Sequence, residues 1–150
     1  MKNFFLILFF LISSCGFKPI YTSNNEKLFF SNIEYNGEIS LQKLLSQTLL
    51  KNENNQDTNL NKLIIDTQKQ ITPTSKNSKG QITTYRTTIE TNLLIINLQE
   101  ERQSKKFLKN FTYNTKENKS ELIKYQQEVE SNLYNQIAQE IITFLKMNDY

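Results

Sequence analysis

The chain has 150 residues, with 18 Lys and Arg against 15 Asp and Glu, and the resulting charge of +3 is too weak to imply nucleic acid as a partner. Its hydrophobic content of 37% and mean hydropathy of −0.56 are low for a globular chain, yet ten Phe and seven Tyr argue for a packed core. It contains no histidine and a single cysteine, which removes an internal disulfide, the usual zinc sites, and Ser–His or Cys–His catalysis; no metal or cofactor is expected, and carboxylates are the remaining catalytic candidates.

Residues 1–21, MKNFFLILFFLISSCGFKPIY, set out the chain's destination. Lys2 precedes a compact apolar run from Phe4 to Ile12, and Ser13 and Ser14 lead into Cys15. A basic start, a short apolar stretch and small residues at a cleavage zone read as a secretory signal. The apolar run falls well short of the ~20 residues that a membrane-spanning helix requires. Ile12-Ser13-Ser14-Cys15 resembles the lipobox of bacterial lipoproteins, in which the sulfur is diacylated and the chain is cut to leave that cysteine first. Acyl chains bring about 0.8 kcal/mol per buried methylene, so two or three of them anchor firmly where one does not. The alternative is a plain secreted protein whose cysteine is a small buried residue. The position of Cys15 at the cleavage point favours the lipid anchor. Gly16 follows, where an Asp would resemble the inner-membrane retention signal of enteric lipoproteins.

The expected organisation is a signal peptide over 1–14, a lipidated N-terminus and polar tether over 15–27, and one domain over 28–150. LFFSNIEY (28–35) alternates, with Phe29, Ile33 and Tyr35 on one side, and reads as a strand ended by Asn36-Gly37. Leu41, Leu44, Leu45, Thr48 and Leu49 form an amphipathic stripe that predicts a helix from Ser40, as N-cap, to about Asn52. KNENNQDTN (51–59) is a polar loop. A second strand is expected over Leu60–Thr72 with Leu63, Ile65 and Ile71 on one face, and a turn from Pro73 through Gly80. A long third strand over Gln81–Leu98 places Tyr85, Ile89, Leu93 and Ile95 on one face and Arg86, Thr88, Glu90 and Asn92 on the other. The run Leu93–Ile96 suggests burial on both faces there. A charged turn (99–105) leads to a fourth strand over 106–114, with Phe107, Phe111 and Tyr113 together. Asn118 and Glu121 have capping-box spacing, and Leu122, Tyr125, Val129, Leu133, Ile137, Ile141 and Leu145 predict one helix to about Lys146. The order β-α-β-β-β-α describes a two-layer α+β sandwich: a four-stranded, mostly antiparallel sheet with both helices packed on one face.

Three constellations are candidates for function. Lys69, Lys76, Lys79 and Arg86 would suit an anionic headgroup if gathered at a hairpin tip, and an ordinary solvated hairpin is the other reading. The polar face carrying Thr84, Arg86, Thr88, Glu90 and Asn92 with Asp66, Gln68 and Gln70 fits a wet partner surface, or an open sheet in water. The carboxylates show no spacing that points to a catalytic dyad; Glu100-Glu101 sits in a charged turn, and surface decoration is the simpler account. The expectation is a protein that is not an enzyme.

CGFKPIY (15–21), directly after the signal, resembles the C-G-F-x-P-[LI]-Y opening of the lipopolysaccharide-assembly lipoprotein family, LptE, in its alphaproteobacterial branch. FTYNTKENKSELIKYQQEVESNLYNQIAQEIITFL (111–145) is similar to that branch's closing strand and helix, and the order of elements fits the whole mature chain. The Asn- and Lys-rich middle departs from the family. The resemblance implies an outer-membrane lipoprotein, lipid-anchored through Cys15, that plugs the LPS-assembly β-barrel (LptD-like) from its periplasmic side and helps deliver lipopolysaccharide to the outer leaflet. It leaves Lys76, Lys79 and Arg86 as candidate LPS contacts on their chemistry alone. An accessory lipoprotein of another envelope-transport or barrel-assembly complex is the alternative.

Overall fold

The computed structural model describes residues 27–52, 60–148 and 150. The signal, Cys15 and the CGFKPIY stretch lie outside them. In chain order the elements are β1 (Leu28–Phe30), β2 (Asn32–Gly37), α1 (Ile39–Leu45), β3 (Leu49–Lys51), β4 (Lys62–Lys76), β5 (Ile82–Ile96), β6 (Arg102–Asn114) and α2 (Lys119–Met147). A mixed sheet runs in the order β2-β4-β5-β6. β2 pairs with β4 in parallel through the α1 crossover, and β4, β5 and β6 form the expected antiparallel meander. Both helices lie on one face, as the apolar patterning requires.

The register explains the core. Leu63 faces Ile95, and Ile65 faces Leu93, so the alternating apolar residues of the meander form one continuous surface. α2 lays Val129, Leu133, Ile137, Ile141 and Leu145 against it, and α1 adds Leu41 and Leu45. Each fully buried aliphatic side chain stabilises by about 1.5–3 kcal/mol. The Asn118 side chain caps α2 by accepting from the Ser120 N–H at 2.8 Å, one of the orphan donors of a helix start.

The first strand departs from its expected form. A bend at Ser31 splits it into β1 and β2 and reverses the alternation, so Phe30 is wholly buried while Phe29 is 49% exposed. Phe29 therefore does not share a side with Ile33 and Tyr35. The predicted helix to Asn52 is also corrected. α1 stops at Leu45, its N-cap is Glu38 without a side-chain bond, and the Thr48 N–H donates to the Leu45 carbonyl. Leu49–Lys51 then pairs in parallel with Leu28–Phe30. Leu49 is buried in either arrangement, so its place in the stripe could not discriminate helix from strand. Pairing wins because it supplies partners to the backbone of β1, which has left the main sheet.

β4 and β6 also outrun their predicted ends, while β5 stays within its expected span. β4 continues through Pro73 to Lys76, with a register irregularity between Pro73 and Lys76. Proline is tolerated there because β2 stops pairing at Thr67, leaving that half of β4 an edge. β6 begins at Arg102, four residues before the expected start, and Ile71 and Phe111 are 39% and 45% exposed rather than core. Leu94 and Ile96 are half-buried on the uncovered face, so the run from Leu93 is not sealed on both sides among the described residues.

Candidate interaction surface

Two hairpin turns hold the meander in register, and both are built on asparagine. Asn77 Oδ1 accepts from the Lys79 and Gln81 N–H groups at 2.9 and 3.0 Å. Asn97 Oδ1 does the same for Gln99 and Glu101, both at 2.9 Å. The position before the closing residue is left-handed in each, Gly80 at φ +77° and Glu100 at φ +63°. The sequence placed a turn near each of these positions but not the asparagine that anchors it; the repeated Asn four residues before Gln or Glu was the available signal.

With the register fixed, the uncovered face can be read row by row. Asn36, Asp66, Asn92 and Lys106 form one row across the sheet, and Gln68, Glu90 and Leu108 the next. Gln70, Thr88 and Asn110 follow, then Thr72, Arg86 and Thr112, and finally Thr84 and Asn114. Lys106 pairs with Glu90 at 2.6 Å and Lys62 with Glu34 at 2.7 Å. The hydrogen bond from Lys106 outweighs a small desolvation and holds the Glu90 carboxyl below its ordinary range. Arg86 donates from Nε to Thr112 Oγ1 at 3.1 Å. Apart from Leu108, the apolar part among the described residues is at the opposite end, where Ile64 faces Leu94 and Lys62 faces Ile96. The result is a broad amide, hydroxyl and charge surface with an apolar margin.

The predicted basic set does not assemble as a unit. Lys76 ends β4 and Lys79 lies in the adjoining turn, so these two share the tip. Arg86 lies down the uncovered face beside Thr112. Lys69 projects to the other face, 3.0 Å from Glu130 on α2 and 3.8 Å from Glu38. The carboxylates do not converge either. Glu90 is engaged by Lys106, Glu101 accepts from Asn97 Nδ2 at 2.8 Å, and Glu100 is the left-handed turn residue.

On the helix face, polar side chains are internally matched. Thr67 and Thr91 hydroxyls lie 3.2 Å apart, and Thr87 lies 3.1 Å from the Tyr113 hydroxyl. Tyr113 stacks on Tyr85 and meets Tyr125 edge-on. The Tyr35 and Tyr134 hydroxyls are buried without a hydrogen-bond partner among the described residues. Burial pushes Tyr35 up to about 12. Burial, then the nearby carboxylates of Glu38 and Glu130, raises Tyr134 as well.

Fold and surface together define a two-layer α+β domain with helices on one side of its sheet and a polar, uncovered face on the other. The chain is similar in structure to rare lipoprotein B from Shewanella oneidensis (TM-score 0.64, 11% identity, 79% of this chain and 96% of that one). It is likewise similar to a minor lipoprotein from Acinetobacter baumannii (TM-score 0.62, 13% identity, 82% of this chain and 92% of that one). A third is uncharacterized lipoprotein B from Nitrosomonas europaea (TM-score 0.56, 10% identity, 88% of this chain and 94% of that one). At such identities the likeness establishes the shared fold. No family model and no curated protein matches the chain in sequence.

Proposed function

We propose that this protein is a non-enzymatic outer-membrane lipoprotein, anchored through acylated Cys15, that plugs the LPS-assembly β-barrel and assists lipopolysaccharide delivery to the outer leaflet. The single observation that carries the reading is the uncovered sheet face. Its rows of Asn, Gln, Thr and paired charges from Asp66 to Asn114 suit the polar interior of a large barrel, where bridging water and hydrogen bonds hold partners together. The lipobox-like Ile12–Cys15 stretch, the resemblance of both chain ends to LptE, and a fold shared with three lipoproteins support it. Lys76 and Lys79 at the hairpin tip supply cations for lipid A phosphates, with Arg86 further along the face.

Purification from detergent-solubilised outer membrane tests the proposal. Recovery of the protein with the LPS-assembly barrel is the expected result, and recovery free of any barrel overturns it. Depletion separates it from a general barrel-assembly role: surface LPS falls while other barrels remain.

A further inference from the structure

We propose that the outer edge of β6 takes up an acidic, extended segment of a protein partner by strand addition, a second interaction surface independent of the barrel assignment. β6 is the last strand of the sheet, and its thirteen residues from Arg102 to Asn114 pair with β5 without a register shift. Its outer edge is therefore a regular row of N–H and C=O groups, the form of edge that templates another strand. The other side of the sheet is handled differently. There β2 covers β4 as far as Thr67, and beyond it Pro73 and the irregularity up to Lys76 blunt the edge.

Charge selects the occupant. β6 carries Arg102, Lys105, Lys106 and Lys109 and no Asp or Glu. Lys106 is matched by Glu90 and Lys109 by Glu140. Among the described residues Arg102 has no carboxylate partner, and Lys105 rests over the Phe144 ring at 5.9 Å. A second copy of this chain added edge to edge would set a second strand of four cations and no carboxylate beside the first, which is unfavourable. The cations that disfavour self-pairing thus favour a strand that carries Glu or Asp.

Apolar anchors lie on both faces of the same edge strand. Leu108, 50% exposed, is on the uncovered side. Phe111, 45% exposed, opens on the helix side into a groove of about 410 Å³ shared with Tyr125, Val129 and Leu133. Alternate side chains of an added strand would cover one and the other.

The experiment uses the full chain in detergent and an eight-residue peptide alternating Glu with Val or Thr, beside its Lys-for-Glu counterpart. Two further peptides carry N-methyl groups on either alternate set of amides. The acidic peptide is expected to bind at least about tenfold tighter than the lysine peptide, with new amide protection along β6. Methylation of one amide set abolishes binding, and methylation of the other leaves it within about twofold, because only one edge of the peptide pairs. Arg102→Glu with Lys105→Glu reverses the charge preference while circular dichroism stays unchanged. Equal binding by both methylated peptides, absence of an acidic preference, or absence of binding at 1 mM peptide overturns the proposal. So does dimerisation of the free chain through β6.

Discussion

The Lys69 ammonium lies 3.0 Å from the Glu130 carboxylate, joining the middle of β4 to the flank of α2. Glu38, at the start of α1, stands on its other side at 3.8 Å. On the opposite flank Lys109 pairs with Glu140, and Lys116 sits 5.0 Å over the Tyr125 ring. The long helix is thus clamped to the sheet along both sides of its apolar stripe. Burial pulls the Lys69 pKa down, but the hydrogen bond and charge of Glu130, with Glu38 behind them, outweigh it and raise the net value above 10.5.

Lys69→Met is expected to destabilise the fold by about 1 kcal/mol, since partly exposed pairs are worth little and the loss leaves two carboxylates facing each other. Urea unfolding of Lys69→Met, Glu130→Gln and the double variant gives the coupling. The raised pKa fixes the sign with pH. The contribution is complete below the unfolded lysine value and disappears as pH climbs from about 10.5 through the folded one.

Lys69 also shows why the candidate site was only partly legible in the sequence. Basic residues near a turn suggest a cluster, yet strand parity sends Lys69 to the helix face and Arg86 to the other. That parity was countable within each strand, Lys69 falling with Leu63 and Ile65 and Arg86 opposite Tyr85, so closeness to the turn alone suggested the cluster. Only Lys76 and Lys79 lie beyond the irregularity at Pro73–Lys76. The meander and α2 were legible because their apolar periods are long and unbroken. The β1–β2 split turns on one bend at Ser31, and the end of α1 on pairing between segments twenty-one residues apart, Leu28 with Leu49. Neither leaves a local signature. Nothing in the sequence marks Thr67, Thr87 and Thr91 as buried, because their partners, one another and Tyr113, are reached only across strands.

Tyr35→Phe removes a buried hydroxyl that has no hydrogen-bond partner among the described residues. The variant is expected to gain about 1 kcal/mol at neutral pH, the desolvation penalty of such a group. Because burial raises Tyr35 from 10.0 to about 12, the native protein loses stability as pH rises across that interval, where the unfolded phenol ionises and the folded one does not. Thermal unfolding at pH 8, 10 and 11.5 should show a shallower alkaline decline in the variant. An equal decline in both would remove Tyr35 as its source.

Two left-handed positions make opposite predictions. A Cβ at Gly37, φ +96°, would stand 2.0 Å from the Thr67 carbonyl oxygen on the neighbouring strand. Gly37→Ala should therefore cost at least about 2–3 kcal/mol through strain and a displaced β2–β4 ladder. Glu100, φ +63°, occupies the turn position that Gly80 fills in the sister hairpin. Glu100→Gly relieves the strain of a side chain in that conformation and should gain about 0.5–1 kcal/mol. Denaturant midpoints moving in opposite directions are the measurement.

Cys15→Ala tests the anchor directly. Without the thiol no thioether to a glyceryl group forms, so the variant should incorporate no labelled palmitate. It should persist as an uncleaved precursor in the inner-membrane fraction. Arrival at the outer membrane in normal amount would remove the lipid anchor from the proposed function.

Lys76 and Lys79 share the tip of the β4–β5 hairpin, and neither has an ion-pair partner among the described residues. Arg86 sits further down the uncovered face and is already bonded to Thr112. Exposed cations attract a polyanion mainly by long-range Coulomb terms, which fade once the screening length falls to about 3 Å at 1 M salt. Lys76→Glu with Lys79→Glu should weaken binding to purified lipopolysaccharide by about tenfold or more at low salt, at two charge reversals per molecule. The difference should largely vanish at high salt. Arg86→Gln should act less, because its guanidinium is set back from the tip. Unchanged binding in the double variant would make the tip an ordinary solvated turn and move any lipopolysaccharide contact to the sheet face.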